Sequence, residues 1–254
     1  MRSIFVLALA LLVPQLGCGE LDSGAGGSGG SGALGGAGSG GLAGTGGLAG
    51  APNAALVKQW AREVALGTEY GGGSKQVARW ADSPSLSVVT GSAADRVHLN
   101  ELVPILNQDL GPTPIQVVAD GDDSADIRVY FTPLADFTAI GQQHGFPVVP
   151  GNWGYFYMFW DADQALTKTF VLLATDKLSG DQLRHFTFEE LTQSLGLATD
   201  SDIFPDSIFY ANGADGGDAT ELSALDRRLL WFLYAHTQPG DDQAAFDAAF
   251  DQYF

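Results

Sequence analysis

Seventeen of the chain's 34 glycines fall within its first 50 residues. That imbalance confines any core to the remaining 204 residues. Residues 19–50 are dominated by Gly, Ala, Ser, Thr and Leu without periodicity. Such a segment buries too little apolar area to offset the entropy of ordering it. A Gly-rich stretch of this length reaches on the order of 30 Å, so it reads as a tether. The reading is therefore a leader over 1–18, a tether over 19–52 and one folded domain over 53–254. The last is near the usual domain size of roughly 100–200 residues.

The leader has the form of an export signal. Arg2 supplies a positive start, and Ile4 to Val13 is an apolar run too short to span a bilayer. Gln15-Leu16-Gly17-Cys18 follows and resembles the lipobox of bacterial lipoproteins, with Gln15 departing from the usual residue three places before the Cys. The resemblance implies lipidation at Cys18, the chain's single cysteine. Gly19 in place of Asp favours sorting to the outer membrane. The expectation is an exported, lipid-anchored protein facing the periplasm or the cell surface, with the bilayer as one partner.

The chain carries 30 acidic residues against 12 Lys plus Arg, a formal net charge of −18. Nucleic acid is excluded as a partner, because phosphate contacts need clustered Lys and Arg. One cysteine excludes an internal disulfide framework and a CxxC metal site.

Within 53–254 the elements alternate. Leu56, Trp60 and Val64 recur at helical spacing over Asn53–Leu66. Ser85–Thr90 reads as a strand, and Ala93–Leu110 as a helix with Val97, Leu102, Ile105 and Leu106 inward. Pro114–Ala119 and Asp126–Thr132 read as strands joined by a hairpin turn at Asp120-Gly121-Asp122-Asp123. The alternate acids of that turn resemble a Ca²⁺ loop but lack its Gly and its closing Glu. A Gly- and Pro-containing loop is expected over Ile140–Asn152, with His144 in it. Strands follow at Gly154–Trp160 and Lys168–Ala174. Helices are expected from Ser179 or Asp181 to Leu195, from Ser223, and over Asp242–Tyr253. This order describes an α/β domain with a single mixed sheet and helices packed on it.

The most informative stretch is Glu189-Glu190-Leu191-Thr192-Gln193-Ser194-Leu195-Gly196-Leu197-Ala198-Thr199-Asp200. It resembles the metzincin signature H-E-x-x-H-x-x-G-x-x-H. Glu190 falls on the glutamate and Gly196 on the glycine. Glu189, Gln193 and Thr199 fall on the three histidines. Ala125-Asp126-Ile127-Arg128-Val129-Tyr130-Phe131 resembles the A-D-I-x-I-x-F strand of that group. Ser207-Ile208-Phe209-Tyr210 resembles its Met-turn, with Phe209 for Met. Leu222-Ser223-Ala224-Leu225-Asp226 through Leu233-Tyr234 resembles its closing helix. The motif also resembles a bacterial family of unknown function within that superfamily, whose members carry an R-W pair, here Arg79-Trp80. The resemblance implies a zincin-like, metzincin-type arrangement.

It also implies a degenerate metal site. Two His at i and i+4 share a helix face and can reach one Zn²⁺, and the adjacent Glu then acts as general base on metal-bound water. Here all three imidazoles are replaced, while Gly196 and the turn at Ser207 and Phe209 persist. Three readings stand. The domain is a pseudo-peptidase that binds a peptide or protein partner, with no cofactor. Or it is an active peptidase holding Zn or another divalent metal through His185, Glu189 and Asp200, with Glu190 as base. Or Glu189, Glu190 and Gln193 are only a solvated helix face.

Overall fold

The polypeptide is described here by a computed structural model over residues 5–8, 53–67, 75–212 and 215–254. Arg2, Cys18 and the 19–52 tether lie outside the described residues. A strand at Phe5–Ala8 (β1) falls within the expected leader.

Helix α1 (Ala54–Leu66) starts where the Asn53 carboxamide accepts the Ala55 N–H, at 2.9 Å. It buries Val57, Trp60, Ala61 and Val64. Trp60 and Val64 are buried as expected, but Leu56, expected with them, is 39% exposed and Val57 is buried beside it. Strand β2 (Ser85–Thr90) leads to α2 (Val97–Asp109), which buries Leu99, Leu102, Val103 and Leu106. Val97 opens that helix and faces solvent, contrary to expectation. Both errors arise because one apolar residue at helical spacing can sit beside the buried stripe as easily as in it.

Strand β3 shrinks to Gln116–Val117, and β4 spans Ile127–Thr132. The expected hairpin between them does not form. Both run parallel to β2 and flank it, so their connection crosses the end of β2. Ser87 anchors the crossing: its hydroxyl donates to the Ala119 carbonyl and accepts the Asp122 N–H. Asp126 is consumed by Ser85, whose N–H and hydroxyl it accepts at 2.8 and 2.7 Å. The first part of the expected loop is likewise structured. Helix α3 (Phe137–His144) precedes Gly145, and only the segment after it is irregular. Phe137 and Phe146 fasten this excursion to the sheet.

Strands β5 (Gly154–Trp160) and β6 (Leu166–Ala174) are followed by α4 (Gly180–Gln193), a short pair β7 (Ala211–Asn212) and β8 (Asp215–Gly216), then α5 (Ala224–His236) and α6 (Gln243–Tyr253). The main sheet runs β1-β5-β6-β4-β2-β3. Strands β6, β4, β2 and β3 are parallel; β5 is antiparallel to β6, and β1 to β5. The expected α/β architecture, one mixed sheet with packed helices, is the one observed.

Side chains alternate across the sheet. Ile127, Val129, Phe156, Met158, Val171 and Leu173 join the large core under α1, α2, α4, α5 and α6. Tyr130, Tyr155, Tyr157, Phe170 and Leu172 form a second core with Phe137 and Phe146. The aromatic run of β5 is thus core on both faces, as strands covered on both sides are. Among the described residues no helix is long and apolar enough to cross a membrane.

Candidate functional site

Helix α4 carries the site. Leu183, Phe188 and Leu191 bind it to the large core. His185, Glu189 and Gln193 repeat every four residues and so stack along another face. None of them is solvated: they are 5%, 3% and 0% exposed, and Glu190 is 1% exposed. The reading of a solvated helix face is therefore overturned.

The stack is internally paired. His185 Nδ1 lies 2.7 Å from the Ala219 carbonyl, which can only accept, so Nδ1 carries hydrogen. Its Nε2 lies 3.4 Å from Glu189 Oε2, an ion-pair distance rather than a tight hydrogen bond, and that oxygen has no closer donor. Burial pulls the His185 pKa down, but the Glu189 carboxylate, the Ala219 carbonyl and Asp218 together raise it above the ordinary value. At the other end Gln193 Nε2 donates to Asp200 Oδ1 at 2.8 Å, while Gln193 Oε1 is left without a partner. Thr199 Oγ1 is also buried and unpartnered.

Thr199 and Asp200 line an open cleft of about 460 Å³ with Glu63, Gly67, Ser201, Asp202 and Ala211. Glu63 accepts the Ser201 hydroxyl at 2.7 Å. Sequence reasoning missed Glu63, because only the packing of α1 brings it here.

Glu190 points elsewhere, as a neighbour rotated by about 100° on a helix must. Its carboxylate lies against the backbone of Gly154 at the start of β5. A Cβ on Gly154 would overlap Glu190 Oε1 and the Phe186 ring. The first strand of the 154–174 hairpin thus crosses the helix directly over this carboxylate.

The structure brings together His185 with Glu189 and Gln193 with Asp200. It does not unite them around one point. Among the described residues no group of three His, Cys, Asp or Glu is arranged to hold a metal ion. Glu189, Gln193 and Thr199 offer one anionic and two neutral oxygen donors, a set that does not fit Zn²⁺.

The turn residues are structural. The Ser194 carbonyl accepts from Trp80 Nε1 at 3.3 Å, and the Leu195 carbonyl accepts from the Tyr234 hydroxyl at 2.9 Å. These contacts satisfy carbonyls that a helix end leaves open. Gly196 then turns the chain at φ +109°, with its Cα against the Ala78 carbonyl where no Cβ fits. Arg79 fixes that neighbouring segment: its buried guanidinium donates to the Thr237 carbonyl at 3.1 and 2.7 Å and to the Trp80 carbonyl at 2.8 Å.

Ser207 and Phe209 are organised by Asp226. One carboxylate oxygen accepts the Ser207 hydroxyl at 2.6 Å; the other accepts the Ile208 N–H at 3.0 Å and the Ser223 N–H at 2.7 Å. Ser223 in turn accepts the Asp226 N–H, closing a capping box at the start of α5. Phe209 is fully buried in the large core. The sequence marks Asp226 only as a cap; its grip on the Ser207 turn is visible in three dimensions alone.

Two outcomes are expected. Gly196→Ala should lower unfolding free energy by more than about 2 kcal/mol, through strain at positive φ and backbone overlap; urea unfolding measures it, and an unchanged midpoint contradicts the packing described. The raised His185 pKa makes its pairing with Glu189 stabilising below the unfolded-state value of about 6.5. That contribution is lost as pH rises through the higher folded-state pKa. The thermal midpoint should therefore fall across that range in the wild type, and Glu189→Gln should remove this component of the fall.

Curated proteins return no match. A crystal structure of myroilysin is similar over 62% of this chain and 86% of its own, at 13% identity and a TM-score of 0.38. A second structure of myroilysin is similar over 63% and 83%, at 13% identity and a TM-score of 0.39. The sequence model of one family, described as protein of unknown function (DUF2927), matches residues 54–250, from the first residue of α1 into α6, and the chain belongs to that family.

Proposed function

We propose that this domain is a metallopeptidase-like scaffold that binds a peptide or protein segment without cleaving it. The observation that carries the reading is the bond from Gln193 to Asp200. At a position where the metzincin motif has a metal-ligating imidazole, this chain has an amide that already serves a neighbouring carboxylate. The parts that shape the motif, Gly196 and the Ser207 turn, are retained and fully engaged.

The edge of β5 supports a binding role. It pairs antiparallel with an extended segment, Phe5–Ala8, in the register Phe5 to Trp160 through Ala8 to Tyr157. Removal of the leader on export would return that edge to a partner, and strand addition draws its affinity from main-chain hydrogen bonds without any metal. The same proposal places the protein on the outer membrane through a lipid at Cys18, facing the periplasm or the cell surface, with the tether as spacer.

The competing reading is an active metal-dependent peptidase with non-standard ligands. The closeness of His185 and Glu189 favours it, but Asp200, the third member of that set, is turned to Gln193. Metal analysis of the purified protein separates the two. The binding reading expects less than about 0.1 equivalent of any divalent transition metal and no cleavage of a mixed peptide library. Stoichiometric metal lost in Glu189→Ala, with cleavage lost in Glu190→Ala, would establish the peptidase instead. The anchor has its own test: Cys18→Ser should move the protein from the membrane to the soluble fraction, and unchanged partition would remove the lipid from the proposal.

A further inference from the structure

The face of the sheet opposite α4 carries a second polar cluster. Arg128 and Tyr130 stand two residues apart on β4 and so share a face, and Lys168 lies two residues before Phe170 on the adjacent β6. His144, the last residue of α3, lies over the Phe170 ring with centroids 4.7 Å apart. Phe170 and Tyr130 belong to the second core, so this cluster is on the far side of the sheet from His185, Glu189 and Glu190. It also lies toward the start of β6, whereas Gly154 pairs with Leu173 near that strand's end.

Arg128 is 7% exposed and enters none of the ion pairs among the described residues. Its Nε donates to the Ala125 carbonyl at 3.1 Å, its Nη1 lies 3.4 Å from His144 Nδ1, and its guanidinium carbon lies 5.4 Å from the Phe170 ring centre. A buried charge of this kind normally has a counter-charge. Asp122 and Asp123, in the loop before β4, act on the cluster only through space.

The hydrogen atoms follow from the partners. Guanidinium nitrogens only donate, so His144 Nδ1 accepts and its hydrogen sits on Nε2. That Nε2 is 3.0 Å from the Tyr130 hydroxyl, which therefore accepts from it and keeps its own proton for another acceptor. Burial, Arg128 and Lys168 pull the His144 pKa down against the opposing pull of Asp123, in keeping with a neutral ring. Burial pushes Tyr130 up to about 12, so its hydroxyl stays protonated.

We propose that Arg128, Tyr130 and Lys168, ordered by His144, form a binding site for an oxyanion, a phosphate or carboxylate group. Each supplies a different donor: a guanidinium suited to two oxygens, a hydroxyl hydrogen with no other acceptor among the described residues, and the Lys168 ammonium. His144 and Lys168 are partly exposed, which leaves the cluster open to solvent on that side. In a chain of net charge −18 a locally positive site is what lets an anion approach at all.

The test titrates the full chain with inorganic phosphate and, separately, acetate, against chloride at matched ionic strength, following the His144 ring by NMR. A saturable shift with phosphate or acetate and none with chloride is expected; the tighter of the two identifies the anion class. Binding should weaken about tenfold or more in Arg128→Gln and about threefold in Tyr130→Phe, which keeps the ring. Tyr130→Phe decides the matter where Arg128→Gln fails to fold. No saturable shift with either anion, or equal binding by wild type and Tyr130→Phe, overturns the proposal.

Discussion

Two carbonyl groups, those of Ser194 and Leu195, hold the geometry of the site together. They close the C-terminal end of α4, and each is met by a side chain from a distant part of the sequence, Trp80 and Tyr234. Because those donors are rigid rings seated in the core, the helix end is set in position as well as satisfied. Gly196 can then press its backbone against Ala78, and everything after it, including Thr199 and Asp200, inherits that direction. Arg79 and Asp226 act one step further out. The first fixes the strand-like segment that carries Trp80; the second ties the Ser207 turn to the helix that carries Tyr234.

Motif residues divide accordingly. Those that set shape, namely Arg79, Trp80, Gly196, Ser207, Asp226 and Tyr234, are all engaged in identifiable contacts. Those that fall on the histidines of the resembled signature, Glu189, Gln193 and Thr199, each carry a buried oxygen that no hydrogen bond satisfies. Unsatisfied buried oxygens cost stability. These three oxygens lie along one side of one helix and the turn after it, while other such atoms, on Trp60, Asn152, Tyr157, Thr169 and His236, are scattered through the fold.

Much of this was legible in the sequence. The order of elements follows from β-branched runs and helical spacing. What was illegible has common physical causes. Single members of the α1 and α2 stripes are easily misplaced, because Leu56 and Val97 have the right chemistry and the wrong angle. Helix α3 hides because its eight residues expose most of their surface and its anchor, Phe146, lies beyond its end. The β3–β4 connection resembles a hairpin because a turn signal reports a change of direction and not which strand comes between. The pairing of Gln193 with Asp200 and of Glu63 with Ser201 needs the third dimension; no spacing announces it.

The bond between Gln193 and Asp200 also bears on how this lineage can change. Replacing Gln193 with His would take away the amide that Asp200 accepts from, at a cost of about 1–3 kcal/mol if no new donor arrived. One imidazole alone would gain no metal in return, since Glu189 and Thr199 would remain as they are. That single step therefore loses stability before it can gain chemistry. The hydrogen bond works as a ratchet: the packing that includes it resists this substitution.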